Sequence, residues 1–172
     1  MKRILLTISF SLIALCSIAQ ERSDFDSNKE TISHFFKRYS DMKYITTIEI
    51  GPAMTKAMAV KLFEAGDDEN AKILRSINSI NILVETSEGK SHIKEAMFNL
   101  PKECSAYELI TSTEKNDEIS HFYFAEHPNG ESCEFLMLMR KFDKRVVLYI
   151  TGDFSITDIS ALSNLGQGIG GK

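Results

Sequence analysis

Two runs near the end of the chain, CEFLMLMR (Cys133–Arg140) and RVVLYIT (Arg145–Thr151), decide how it folds. In the first, Cys133, Phe135, Met137 and Met139 share one face and Leu136 and Leu138 the other; in the second, Val146, Leu148 and Ile150 oppose Val147 and Tyr149. A strand that is apolar on both faces is buried on both. The pair, turning around Phe142-Asp143-Lys144, therefore belongs inside a sheet that is covered twice. Helices above and a terminal helix below are one way to cover it. A second chain lying against part of the sheet is the other, and it nominates Leu136, Leu138, Val146, Leu148 and Ile150 as an interaction surface.

Working upstream, Pro128-Asn129-Gly130 is a hairpin signal, because Asn and Gly accept the positive φ of tight turns. Before it lie a strand over Ile119–Glu126, a charged turn over Glu114–Glu118 and a strand over Tyr107–Thr113. The second half thus reads as a meander. Downstream, Ser155 and Asp158 form a capping box for a last helix holding Ile156, Ile159 and Leu162. The glycine-rich residues 166–172 read as a tail.

The first half alternates between periods. Ile32, Phe35, Phe36 and Tyr39 form the stripe of a helix over Asn28–Met42. Tyr44, Thr46, Ile48 and Ile50 share one face of a strand. Gly51-Pro52 opens a second helix expected to bury Met54, Ala57, Met58, Leu62 and Ala65. After a break at Gly66–Glu69 and a short helix over Asn70–Ile77, Ile80, Ile82, Val84 and Thr86 alternate as a strand. The turn Ser87–Lys90 leads to a helix striped by Ile93, Ala96, Met97 and Leu100 and stopped at Pro101. The expected fold is α+β, in the order α-β-α-β-α-β-β-β-β-α: one mostly antiparallel sheet of about six strands with helices packed on it. Residues 28–165 form a single domain. If the first two strands lie side by side, a right-handed crossover is expected.

The start of the chain is an address. Lys2 and Arg3 precede an uncharged apolar run over Ile4–Leu15, and Ser17-Ile18-Ala19 places small residues where a signal peptidase reads. Residues 1–19 read as a signal peptide cut before Gln20, with 20–27 as a polar lead-in. Lipidation at Cys16, the one route to a membrane anchor, is opposed by the large Leu15 before it. The expected location is exported, periplasmic or secreted, with an envelope lipid anchor as the alternative.

The whole chain carries 20 Lys and Arg against 24 Asp and Glu. Loss of Lys2 and Arg3 with the leader leaves an acidic domain without a basic cluster, which excludes a nucleic-acid partner. Cys104 and Cys133 survive cleavage. Either they pair, closing a loop of about thirty residues worth roughly 3 kcal/mol, or they are buried apart as free thiols.

No catalytic motif emerges. Ser33-His34, Ser91-His92 and Ser120-His121 are sequence neighbours, which point apart on a strand and are badly placed for each other on a helix. His121, His127 and Cys133, with Met137 and Met139 for a soft metal, lack any ligand frame. Asp67-Asp68-Glu69 lacks the alternation of a calcium loop. Gly166–Gly171 precedes no helix that would present its N-terminus to a phosphate. The ionisable groups are expected to stay scattered, with no cofactor and no metal.

Several segments, taken together, are similar to a known family: Phe36-Lys37-Arg38-Tyr39-Ser40, Ile45–Ile50, a Met- and Ala-rich helix, Ile77–Glu85, and above all the close over Val146–Ser160. The chain resembles the small exported proteins of Bacteroidetes grouped as domain of unknown function 4252, over about residues 28 to 165. The resemblance implies an envelope or secreted location and a single domain, and transfers no catalytic residue. The expected function is an exported, non-enzymatic protein-interaction module whose partner is an envelope protein or a second copy of itself. The alternative is a small apolar-ligand binder with a pocket between sheet and helices, lined by Phe122, Phe124 and the methionines.

Overall fold

The computed structural model describes residues 27–86, 91–104, 106–127, 130 and 132–158. The expected leader and lead-in up to residue 26, the expected turn at 87–90, Pro128-Asn129, the expected last helix beyond residue 158 and the glycine-rich residues 166–172 lie outside the described residues.

Among the described residues, four α-helices and six strands follow one another as α1 (27–39), β1 (Ile45–Ile50), α2 (Pro52–Glu64), α3 (Asp68–Ser76), β2 (Ile77–Thr86), α4 (Lys94–Asn99), β3 (Glu108–Lys115), β4 (Glu118–Glu126), β5 (Cys133–Lys141) and β6 (Lys144–Gly152). The strands form one sheet in the order β1-β2-β6-β5-β4-β3, and every neighbouring pair is antiparallel. The fold is α+β, as the sequence indicates. The expected crossover does not arise: β1 and β2 are neighbours but antiparallel (Ile48 opposite Ile82), and the handedness rule concerns parallel pairs.

Each face of the sheet has its own core. On the first face α1, α4 and the residues flanking α4 deliver Ile32, Phe35, Tyr39, Ile93, Met97 and Leu100 onto Leu83, Leu136, Leu138, Val147 and Tyr149. On the second, α2, α3 and Phe154 meet Ile82, Phe135, Leu148 and Ile150 through Ala59, Ile73 and Leu74. Helices on both sides thus account for the doubly apolar β5 and β6. The proposed interaction residues are corrected accordingly. Leu136 and Leu138 are 0% exposed, Leu148 and Ile150 are buried on the opposite face, and Val146 is half-buried beside them. They are core, not surface.

α2 overturns another expectation. It buries Thr55 and Ala59, with Leu62 half-buried, while Met54, Ala57, Met58 and Ala65 are exposed. The cause is close packing: small residues let the helix approach, and the Thr55 hydroxyl donates to the Ile77 carbonyl (3.1 Å). Judging the stripe by its largest side chains rotates it by one position. Beyond the C-cap Ala65, Gly66 has a φ of 82° that suits glycine; Gly66 N–H donates to Phe63 O and Asp67 N–H to Leu62 O, closing a Schellman cap. α3 begins earlier than the sequence suggests because Asp67 caps it, its carboxylate accepting from Asn70 N–H (3.3 Å).

The β3–β4 turn is tighter than expected. Only Asn116 and Asp117 lie outside the strands, both at positive φ, so the flanking charges sit on strand ends. Ser155 and Asp158 interact as the capping pattern implies. Ser155 N–H donates to the Asp158 carboxylate (2.9 Å), a bond that holds this carboxyl below its usual range.

Candidate functional site

The polar residues worth weighing lie on the first face of the sheet. Glu134 follows Cys133 on β5 and points to the same side as Leu136. It is 1% exposed and accepts a hydrogen bond from the Tyr107 hydroxyl, with the Tyr149 phenol and Cys104 close by. A carboxyl, two phenols and a thiol from three remote segments therefore converge, which the scattered-charge expectation missed. They converge out of solvent. Burial first, then Glu134, holds both phenols well above their ordinary value, so they stay protonated, and the Tyr107 hydroxyl donates to the Glu134 carboxyl. Burial, reinforced by Glu134 and Glu103, pushes the Cys104 thiol up to about 12. A thiol so protonated is a poor nucleophile. The cluster is a polar clasp inside the core.

A second clasp ties the end of β2 to the segment leading into α4. Glu85 is fully buried and accepts from the Ser91 hydroxyl (2.5 Å) and the His92 backbone N–H (2.7 Å), while its cross-strand neighbour Arg145 lies 3.7 Å away. Ser91 Oγ in turn accepts from Lys94 N–H (3.0 Å) at the start of α4.

These positions settle several sequence candidates. Ser91 spends its hydroxyl on Glu85, and His92 contributes only its backbone to that clasp. His34 is exposed beside Glu30. His121 lies on the first face against Phe98 and Tyr123, whereas Cys133 belongs to the second-face core with Met137, so these groups do not meet around a metal. Cys104 and Cys133 are both free and buried in cores on opposite faces; the sheet stands between them and the disulfide does not form. Phe122 and Phe124 fill the second core against Phe135 and Phe154.

Both thiols predict an alkaline instability. Burial, with Glu126 and Asp153, pushes Cys133 up to about 11 from an ordinary 9.0. Above about pH 9 the unfolded chain loses these protons while the folded chain keeps them, so deprotonation favours unfolding. Stability is full below the unfolded value and falls as pH rises towards 11 and 12. The melting temperature should decline steadily above pH 9, and Cys104→Ala should flatten that slope whatever it does to the baseline. An unchanged slope would contradict the assignment.

One accessible feature is a groove of about 420 Å³ between α1 and the edge of the sheet. Lys29, Ser33 and Lys37 of α1 form one wall, Thr47, Ile48 and Glu49 of β1 the other, and Ser79, Asn81, Tyr149 and Thr151 line it too. Ser79 and Thr151 hydroxyls bond at 2.8 Å. A second groove, of about 460 Å³, runs between α1 and α4 past His34, Arg38, Asn99 and Glu103. Neither is lined by Phe122, Phe124 or a methionine, as the apolar-ligand alternative requires.

Backbone chemistry makes the β1 side of the first groove distinctive. Thr86 N–H donates to Tyr44 O (3.0 Å), which sets the alternation of the β1–β2 ladder. Continuing that alternation, Thr46, Ile48 and Ile50 exchange bonds with β2, so Ile45, Thr47 and Glu49 turn their N–H and C=O groups outward. Ile45 N–H is satisfied by Met42 O (3.2 Å). Thr47 and Glu49 face outward on the edge strand of the described sheet. The signal for this lay in Ile45–Ile50, six residues rich in β-branching with no Lys or Pro to guard the edge.

A family model described as domain of unknown function (DUF4252) matches residues 39–162. No curated protein matches the chain. Among solved structures, the Ran-binding protein Mog1p of Saccharomyces cerevisiae is similar at 20% identity, covering 51% of this chain and 56% of that one, with a TM-score of 0.25. A point mutant of Mog1 gives the same values.

Proposed function

From the premise that the chain belongs to the DUF4252 family, we propose that it is a non-enzymatic protein-interaction domain that accepts a partner's extended segment on the β1 edge. The carrying observation is the pair of outward-facing backbone units at Thr47 and Glu49 on an unguarded strand beside a helix. An added strand pairs its main chain with these groups, which gives affinity, while alternate side chains enter the groove, which gives selectivity. The groove offers hydroxyls and an amide beside the apolar Ile32 and Phe36, and Lys29 and Lys37 line it together with Glu49. Burial of the Glu134 cluster favours binding over catalysis, because a reacting group must reach its substrate. The signal-peptide-like pattern of residues 1–19 supports delivery to the cell envelope or beyond, and no described helix is long and apolar enough to cross a membrane.

Selection from a random peptide library tests this reading. Extended sequences should be recovered, and Thr47→Pro should abolish their binding while the domain stays folded. The substitution removes an outward N–H that plays no part in the β2 ladder, and edge positions tolerate proline. Selected peptides that bind Thr47→Pro unchanged would refute strand addition.

A further inference from the structure

The same edge identifies its own occupant. Resting on the strand-addition reading, we infer that β1 pairs with β1 of a second copy of this chain, antiparallel, about a two-fold axis passing beside Ile48. Two-fold pairing needs a surface complementary to itself, and β1 has one. With the axis at Ile48, Thr47 lies opposite Glu49 of the copy, and Glu49 opposite its Thr47. Both are outward-facing positions, so four main-chain bonds form with groups that the monomer leaves on its edge. Neighbouring registers are worse. An axis at Thr47 calls on Ile45 N–H, which already donates to Met42 O. An axis at Glu49 sets Thr47 against Gly51, where the strand has ended and α2 is beginning.

Side chains agree with this register. On the second face Ile48, 41% exposed in the monomer, meets its copy at the close spacing of a non-bonded pair, about 4.5 Å between Cα atoms. Thr46 falls opposite Ile50. On the first face the Thr47 hydroxyl, a donor, stands opposite the Glu49 carboxylate, an acceptor, and the two-fold axis repeats the contact. The opposite edge of the sheet is built differently: β3 carries a register shift between Leu109 and Thr111 and charges at Glu108, Glu114 and Lys115. Those features discourage pairing, and β1 has only Glu49. Joining two β1 edges merges two sheets of six strands into one continuous sheet and leaves only the guarded edges open.

Light scattering on the purified protein, with three variants, decides the matter. Wild type should show twice the monomer mass. Thr47→Pro and Ile48→Lys should each halve it while keeping the wild-type circular dichroism, so that one misfolded variant leaves the other to be read. Ile48→Cys should form an intermolecular disulfide on mild oxidation in most of the protein, since the pair spacing lies within disulfide range. Wild type should form none, its described thiols being buried. A wild-type monomer that still binds library-selected peptides, with binding lost in Thr47→Pro, overturns the second copy and leaves strand addition standing. A monomer that binds no peptide overturns both. A dimer indifferent to all three substitutions places the interface elsewhere and overturns the inference.

Discussion

Gly152→Ala is expected to destabilise the domain by about 3 kcal/mol or more, a large share of the 5–15 kcal/mol typical of a domain. A Cβ at this position would sit 2.3 Å from the Ser76 carbonyl oxygen and 2.9 Å from the Ile77 Cα. Both are backbone atoms at the junction of α3 and β2, so no side chain can swing aside to make room. The same junction is tied by Asp153 N–H donating to Ser76 O (2.8 Å). Relieving the clash means losing that bond, worth about 1 kcal/mol, in addition to the strain of moving the strand. Chemical denaturation reads the effect directly. A loss below 1 kcal/mol would show that the β6 end is not packed against α3 as described.

Leu136→Ala should cost about 2–5 kcal/mol, the range for emptying a fully enclosed leucine site. Leu136 is 0% exposed, on the central strands beneath the α1 and α4 residues of the first core. As a surface residue of an interface it would instead leave the monomer stable and weaken association. Equilibrium unfolding at several protein concentrations separates the two cases. A concentration-independent loss of stability identifies core, and a variant as stable as wild type but defective in assembly would restore the surface reading.

The strand content, the meander and the antiparallel sheet were legible because hydrophobic period and turn residues speak for themselves in β3 to β6. The double apolarity of β5 and β6 correctly demanded two covers. It carried no information on whether those covers were helices of this chain or another molecule, and the five residues nominated as surface became core. α2 was misread for a different reason. Thr55 and Ala59 are buried because they are small, and scanning for large apolar side chains ranks them last. Glu134, Tyr107, Tyr149 and Cys104 are separated by up to forty-five positions, and only tertiary pairing brings them together. The β1 edge was partly visible: its alternation was read, but its place at the border of the sheet depends on strand order, which sequence pattern alone does not supply.

Amide hydrogen exchange across Thr46, Thr47, Ile48 and Glu49, followed as the protein is diluted, bears most directly on the edge as a pairing site. Thr46 and Ile48, bonded to β2, should stay protected at every concentration. Thr47 and Glu49 should be protected when concentrated and should lose that protection as the assembly dissociates. Exchange of Thr47 and Glu49 at solvent rates throughout, with Thr46 and Ile48 protected, would contradict it.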